Sequence, residues 1–585
     1  MFQFLAITKA GCRRLFPRHL LHRITTLTFF IATIVIPQVI YTKQVSAKSS
    51  ERPNIVLIMA DDLGYSDLGC YGGEMATPNI DKLSKAGMSF TQFYNTGRCC
   101  PTRASLMTGL YPHNAGIGHM LSKSPNGLYS GDLSRNAITI AEGLKPAGYS
   151  TYMAGKWHLT PWSATVDENP TTNWPNARGF DEFFGTIASI RSFYSPPSIA
   201  RNERSLSPPK GDFYYTEAIN DFACHVIEEH DKQHPFFLYV PQVAPHWPLH
   251  ARESAIEKFQ KRYLAGWDEL AKQRYERMVR LNLIDKSWPR RDSHPDSFQW
   301  EKIAPENREW FARRMATYAA MVEAVDDGVG QIMNTLRKRK MLDNTLIIFL
   351  SDNGGCAEEI GPLGRAKGFP LKTRTGKTIR LGNHPEIDPG PEDTYSSYGL
   401  EWAQFSNTPF RNFKSFVHEG GISTPAIFHW PGKIKSGWTS EVAHVIDVLP
   451  TCLELCHQEY PQDYRKRKIK PLDGRSIVET LTGTAHPKTQ HAEKEQVRDL
   501  FWEHEGNQAV RSGNWKLVRA FGDEWHLFRI DRDRLEVRNL AGTHPEKVAE
   551  LKSAYVDWAK RNGVKQWEGR QTPIGGMTKG WLTNP

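Results

Sequence analysis

Three short apolar runs stand out along the chain, and each ends abruptly in polar residues. Asn54–Ala60 (NIVLIMA) stops at Asp61-Asp62, Pro235–Val240 (PFFLYV) leads to Ala244-Pro245-His246, and Asn344–Leu350 (NTLIIFL) stops at Ser351-Asp352-Asn353-Gly354-Gly355. Runs of this length, rich in Ile, Val and Phe, predict strands buried on both faces. Helical patterns such as Thr317–Lys338 separate them. The alternation predicts an α/β fold, a large mixed but mostly parallel sheet sandwiched by helices. In such sheets ligands bind beyond the carboxyl ends of the strands. All three runs place polar residues at that edge.

Elsewhere the pattern is less apolar. Residues 251–315 are charged and helix-prone, which predicts an insertion presenting a solvated helical face. Residues 458–496 are rich in Pro, Lys and His and predict a boundary between a main body, 48–457, and a smaller C-terminal α+β domain, 497–585. Within the latter, Ala509–Val518 and Trp525–Ile530 predict antiparallel strands, followed by a helix near Pro545–Arg561.

The first residues carry a different signal. Arg13, Arg14, Arg18 and Arg23 precede an uncharged run from Ile24 to Thr42, and Val45-Ser46-Ala47 offers small residues for cleavage. This predicts an export signal over 1–47 and a mature protein working outside the cytoplasm, periplasmic or secreted. Arg13-Arg14-Leu15-Phe16 loosely matches a twin-arginine signal. Contact with a membrane is expected only if the segment stays uncleaved as an anchor. The segment holds six basic residues and no acids, so the remainder carries +4 rather than the full +10. That balance gives no reason to expect a nucleic-acid partner. The composition, 39% hydrophobic and 24% charged, argues against a disordered chain, a repeat solenoid or a multi-span membrane protein.

Candidate chemistry centres on Cys99-Cys100-Pro101-Thr102-Arg103. Pro101 suits a first helical turn, so Cys99 is expected at a helix N-terminus, where free amides and the dipole favour an anion. Arg103, four residues on, shares its face. A lone cysteine in this setting is usually structural, and the eight cysteines include no C-x-x-C pair and no spacing that identifies a disulfide. Cys452 and Cys456, one helical turn apart, suit buried apolar positions. Asp61, Asp62, Asp352 and Asn353 are oxygen ligands at neighbouring strand ends, a set suited to a hard divalent cation. Either acidic pair alone would read as a helix cap or turn. Lys156 and His158 are two apart in a stretch expected to be extended and should point the same way. His246 and Lys414, taken singly, would be a structural histidine and a surface lysine.

C-x-P-S/T-R followed by a short helix resembles the modification motif of the formylglycine-dependent sulfatases, a branch of the alkaline-phosphatase superfamily. The resemblance continues through Gly148–His158, Ala244-Pro245-His246, Ser351–Gly355 and Asn407–Lys414 running into Glu419-Gly420-Gly421-Ile422. It spans roughly residues 52–450, with a weaker match from Trp525 to Leu540 and at Gly542. It implies hydrolysis of sulfate esters, aryl sulfates or sulfated polysaccharides, to an alcohol and sulfate. It also implies a formylglycine made from Cys99 by a maturing enzyme, and one metal ion held by Asp61, Asp62, residue 99, Asp352 and Asn353. That ion would be calcium, although magnesium suits the same residue types.

The roles implied are specific. The hydrated aldehyde at position 99 attacks sulfur with Asp352 as base, His246 and Lys414 protonate the departing alcohol, and His158 takes a proton as sulfate is expelled. Arg103 and Lys156 hold the developing charge. A related metal-dependent phosphodiester or phosphonate monoester hydrolase is the competing enzyme class, and a non-catalytic carbohydrate-binding relative the competing binding class. Trp157, Trp162, Trp174, Trp247 and Trp402 lie near the motifs and are candidates either for packing or for stacking on a sugar or aryl ring. The basic segment Arg365–Arg380 suits either a polyanionic substrate or solvent.

Overall fold

The computed structural model describes residues 52–121, 129–160, 171–188, 190–196, 198–207, 209–289, 296–361, 371–483 and 498–569. The export signal, Cys12, Trp162, the start of the basic Arg365–Arg380 segment and residues 484–496 of the boundary segment lie outside the described residues.

Strands Ser150–Lys156, Phe236–Pro241, Asn54–Ala60 and Thr345–Ser351 run parallel, side by side, at the centre of an eleven-stranded sheet. Glu182–Thr186 extends it in parallel beyond Ser150–Lys156. On the other side Ser423–His429 pairs antiparallel with both Thr345–Ser351 and Met88–Tyr94. The three apolar runs are thus neighbours in the sheet, each within one residue of its expected position.

Side chains alternate between the faces of a strand. Val56, Ile58, Ile347 and Phe349 pack into one core with helices Tyr215–Glu229 and Pro305–Lys338. Ile55, Leu57, Leu346 and Ile348 pack into a second core with Cys99–Thr108 and Val448–Leu455. Two buried faces explain why these runs show no polar alternation.

The charged insertion differs from a simple solvated face. Its helices Glu253–Tyr263 and Trp267–Arg280 bury an apolar stripe, including Ile256, Phe259, Trp267 and Met278. Charge itself goes inside: Arg274 is fully buried and ion-paired with Asp67 at 2.9 Å and Glu74 at 2.8 Å. The stretch Ala509–Val518 is two strands rather than one, Asn507–Ser512 and Trp515–Arg519. Gly513, at φ 56°, turns the chain between them. With Asp499–His504 and His526–Arg529 they form an antiparallel sheet. One face of that sheet packs on Tyr94, Val417 and Ile422, and the other on helix Pro545–Arg561. All seven cysteines among the described residues are free, and Cys452 and Cys456 are buried.

Candidate active site

The register of the central strands assembles the site. Ala60 pairs with Ser351, so Asp61-Asp62 and Asp352-Asn353 leave the sheet together. The Asp352 amide donates to Ala60 O at 3.2 Å, and the Asp62 amide donates to Asp352 Oδ1 at 3.2 Å. The glycines after Asn353 allow the next loop to approach. A Cβ on Gly354 would lie 1.9 Å from Gly420 O, which ties the Asp352 turn to the Glu419–Ile422 turn. Asp62, His158, Asn412 and Ser415 all hold positive φ, between 54° and 77°. Strained backbone of this kind collects where surrounding structure fixes a functional geometry.

Cys99 opens helix Cys99–Thr108, as Pro101 foretells, and no side chain caps the helix start. Its first amides are therefore available to an anion. Arg103 reaches from the same helix to Asp352 Oδ2, with Nη2 at 2.8 Å and Nε at 3.1 Å, and its Nη1 donates to Lys156 O at 3.0 Å. Lys156 Nζ lies 2.6 Å from Asp61 Oδ2. Lys414 Nζ lies 2.8 Å from Asp62 Oδ1 and 2.9 Å from Oδ2. His246 Nε2 lies 3.5 Å from Asp62 Oδ2. Arg103, Lys156, Lys414 and His246 thus all reach the buried Asp61, Asp62 and Asp352 carboxylates. The route differs for His158. The strand ends at Lys156 and His158 turns away in a left-handed conformation, so its ring arrives beside Cys100, with Sγ 3.3 Å from Nδ1.

The electrostatics follow from burial and these pairs. A hydrogen bond from Cys100 draws the Cys99 thiol well below the ordinary thiol range despite its burial, aided by Lys156 and His158. Burial, with Lys156 nearby, pushes His158 down to about 4. Asp61 is buried, yet Lys156 and Arg103 hold it well below the carboxylate range. Burial and the Asp61 charge push Asp352 well above it. Two carboxylates this close share charge poorly without a cation.

The donor set fits such a cation. Asp61 Oδ1 and Asn353 Oδ1 are buried oxygens without a hydrogen-bond partner. Asn353 Nδ2 donates to Asp62 Oδ1 at 2.6 Å, which leaves the amide oxygen as the atom that faces a ligand. An all-oxygen set of this kind suits calcium or magnesium rather than a soft metal. Asp61, Asp62 and His246 also offer ligand-type atoms within 4.8 Å of one another.

Some neighbours carry no local signal in the sequence. Arg98 pairs with Glu358 at 2.9 Å, and Glu358 accepts from the Trp247 indole at 3.0 Å. Of the candidate rings, Trp157, Trp174 and Trp402 are fully buried packing residues, and Trp247 alone of those described lies against the site, its ring 4.7 Å from that of His246. Within the described part of the basic segment, Arg374 and Arg380 pair with Glu392 and Asp393.

A family profile described as Sulfatase matches residues 53–458. The chain belongs to the sulfatase family. A second profile, N-sulphoglucosamine sulphohydrolase, C-terminal, matches residues 410–557 of this sulfatase. It is 33% identical over 551 residues to an uncharacterized sulfatase of Schizosaccharomyces pombe, covering 88% of this chain and 95% of that protein. It is 32% identical to an arylsulfatase of Klebsiella aerogenes, covering 74% of this chain and 92% of that one. Among solved structures, Ps i-CgsB in complex with k-i-k-neocarrahexaose superposes with a TM-score of 0.61 at 25% identity, covering 89% of this chain and 96% of that one. The sheet with its flanking helices is the alkaline-phosphatase-like fold of these enzymes, and the sulfatase is a sulfuric ester hydrolase.

Proposed function

We propose that the protein is an exported sulfatase that uses a formylglycine made from Cys99 by a maturing enzyme, together with one calcium ion, to hydrolyse sulfate esters of carbohydrates or aryl alcohols. The observation that carries this reading is the convergence of Cys99, at an uncapped helix start, with Lys156, Lys414, His246 and the Asp61-Asp62 and Asp352-Asn353 pairs. The Klebsiella relative is an arylsulfatase, and a Bacteroides thetaiotaomicron relative at 25% identity is an N-acetylglucosamine-6-O-sulfatase. Both names, and the complex of Ps i-CgsB with k-i-k-neocarrahexaose, support a sulfate ester on a ring as substrate.

Asp61, Asp62, Asp352 and Asn353, with residue 99, would hold the calcium, which supplies Lewis-acid charge to a sulfate oxygen. Formylglycine, when hydrated, supplies an oxygen nucleophile that can release sulfate without a second displacement at sulfur. The remaining work falls to the chain's own groups. Arg103 and Lys156, both buried beside the Asp61 carboxylate, balance the negative charge that grows on the sulfate oxygens. Asp352, oriented by two Arg103 donors, takes the proton of the attacking hydroxyl. His246 and Lys414 protonate the departing alcohol oxygen. His158, kept neutral at working pH by burial, accepts a proton as sulfate leaves.

The test is a peptide mass spectrum of protein purified from its native source or a conversion-competent host. Trypsin releases Cys99–Arg103, and conversion lowers its mass by the difference between CH2SH and CHO, in a form that a hydrazide traps. An unmodified Cys99 in active enzyme would overturn the formylglycine reading.

A further inference from the structure

Glu358 follows the Asp352-Asn353 turn, and both oxygens of its carboxylate are engaged. Oε1 is ion-paired with Arg98 Nη2 at 2.9 Å, and Oε2 accepts from Trp247 Nε1 at 3.0 Å. Arg98 immediately precedes Cys99, and Trp247 immediately follows His246. One side chain therefore joins the three loops that carry Cys99, His246 and the Asp352-Asn353 pair. Its side chain is 19% exposed, whereas those of Asp61 and Asp62 are at 0% and 1%. Burial opposes its charge, but Arg98 and Lys414 hold its carboxyl down to about 2, so it is an anion at any working pH.

The contact at Trp247 leads directly to the imidazole of His246. His246 Nδ1 lies 2.5 Å from Trp247 O, and since a carbonyl only accepts, the proton on Nδ1 is committed there. Nε2 is then the nitrogen turned inward, 3.5 Å from Asp62 Oδ2. The two rings lie against each other at 4.7 Å with a 42° tilt. Trp247 thus sets the imidazole through its carbonyl and its ring, and the indole N–H fixes Trp247 to Glu358.

We propose that Glu358 is a positioning residue for leaving-group protonation: by anchoring Trp247 it holds His246 Nε2 at the ester oxygen that departs. This rests on the reading of His246 as proton donor. In that step His246 acts as the imidazolium, with a proton on each nitrogen: the O–S bond breaks and its electron pair stays on the alcohol oxygen, the Nε2 proton moves to that oxygen, and the N–H pair remains on nitrogen, leaving a neutral ring that keeps its Nδ1 proton on Trp247 O. A misplaced donor harms substrates in proportion to how much their leaving group needs a proton.

The experiment compares 4-nitrophenyl sulfate, whose leaving group departs readily, with phenyl sulfate, whose leaving group needs protonation. Glu358→Ala and Trp247→Phe break the same hydrogen bond from opposite ends. Each is expected to lower kcat/KM for phenyl sulfate about tenfold more than for 4-nitrophenyl sulfate. Glu358→Gln, whose amide oxygen still accepts from the indole, should restore the ratio to within about threefold of wild type. Equal losses on both substrates, no loss, or no rescue by Glu358→Gln would overturn the proposal. Should Glu358→Ala fail to fold, Trp247→Phe and Glu358→Gln decide it. His246→Ala serves as the reference. If it shows no leaving-group dependence, the role of His246 itself fails; if it does and the Trp247 and Glu358 variants do not, only the positioning role fails.

Discussion

Lys516 Nζ lies 2.9 Å from Glu419 Oε1, and both side chains are wholly buried between the C-terminal sheet and the main body. The same ammonium is 2.9 Å from Glu536 Oε1, and Arg534 approaches Glu419 Oε2 at 2.7 Å. Glu419 begins the short turn that packs against Gly354, five residues after Lys414. Burial alone would raise its carboxyl, but Lys516 and Arg534 hold it well below the usual range. Removing one member of a buried charge set leaves its partners unpaired, which costs about 3–5 kcal/mol. Lys516→Ala should therefore lower unfolding stability by about that amount in urea titration. A loss under about 1 kcal/mol would show that the cluster contributes little.

Cys99 should be separable in function and in fold. Its side chain is small and sits at a helix start, so Cys99→Ala and Cys99→Ser should shift stability by only about 1 kcal/mol. Turnover of an aryl sulfate should fall at least about 10³-fold in both, since the nucleophile is gone. Retained turnover in either variant would place the nucleophile elsewhere.

Removing the cation should be visible without any assay of activity. Asp61 Oδ1 and Asn353 Oδ1 lack partners and Asp352 lies close to the Asp61 charge, so a bound calcium relieves several costs at once. Chelation by EGTA should lower the unfolding temperature, and calcium at 100 times its Kd should restore about 2.7 kcal/mol. Asn353→Ala should reduce that calcium-dependent increment. An unfolding temperature indifferent to EGTA and calcium in wild type would refute the site.

The parts of the site that could be read from sequence are those whose signals are local. Asp61-Asp62 and Asp352-Asn353 announce themselves because each ends an apolar run, and Cys99 does so through Pro101 and Arg103. Lys156 and His158 were legible as a pair, but the extended stretch expected to carry both does not, because the strand ends at Lys156 and His158 turns left-handed. The pairings of Cys100 with His158, Arg98 with Glu358, and Glu419 with Lys516 join segments distant in sequence, and no periodicity encodes them. The same limit applies to the charged insertion. Its charge density suggests solvent, and only the tertiary partners Asp67 and Glu74 reveal why Arg274 is inside.

The pH dependence of stability offers a last test, on histidines away from the reaction. His250 is buried and used twice as a neutral ring: Nδ1 lies 3.3 Å from the Phe193 amide, which donates to it, and Nε2–H donates to Thr394 O at 2.7 Å. Burial pushes its pKa from 6.5 down to about 4. The folded-state value is depressed, so its contribution is complete above the unfolded value of 6.5 and is lost as pH falls toward 4. Burial also raises Asp326 to about 6 and Glu401 to about 7, which tilts stability the opposite way over part of this window. The net curve therefore cannot isolate one histidine, whereas the difference between wild type and His250→Gln can. Glutamine retains a donor and an acceptor but does not titrate. The stability gap between the two proteins should be widest above pH 6.5 and shrink by about 1.4 kcal/mol per pH unit below it. Urea titrations at several pH values, all at saturating calcium, measure that gap; a gap constant with pH would mean that His250 is not buried as the neutral ring.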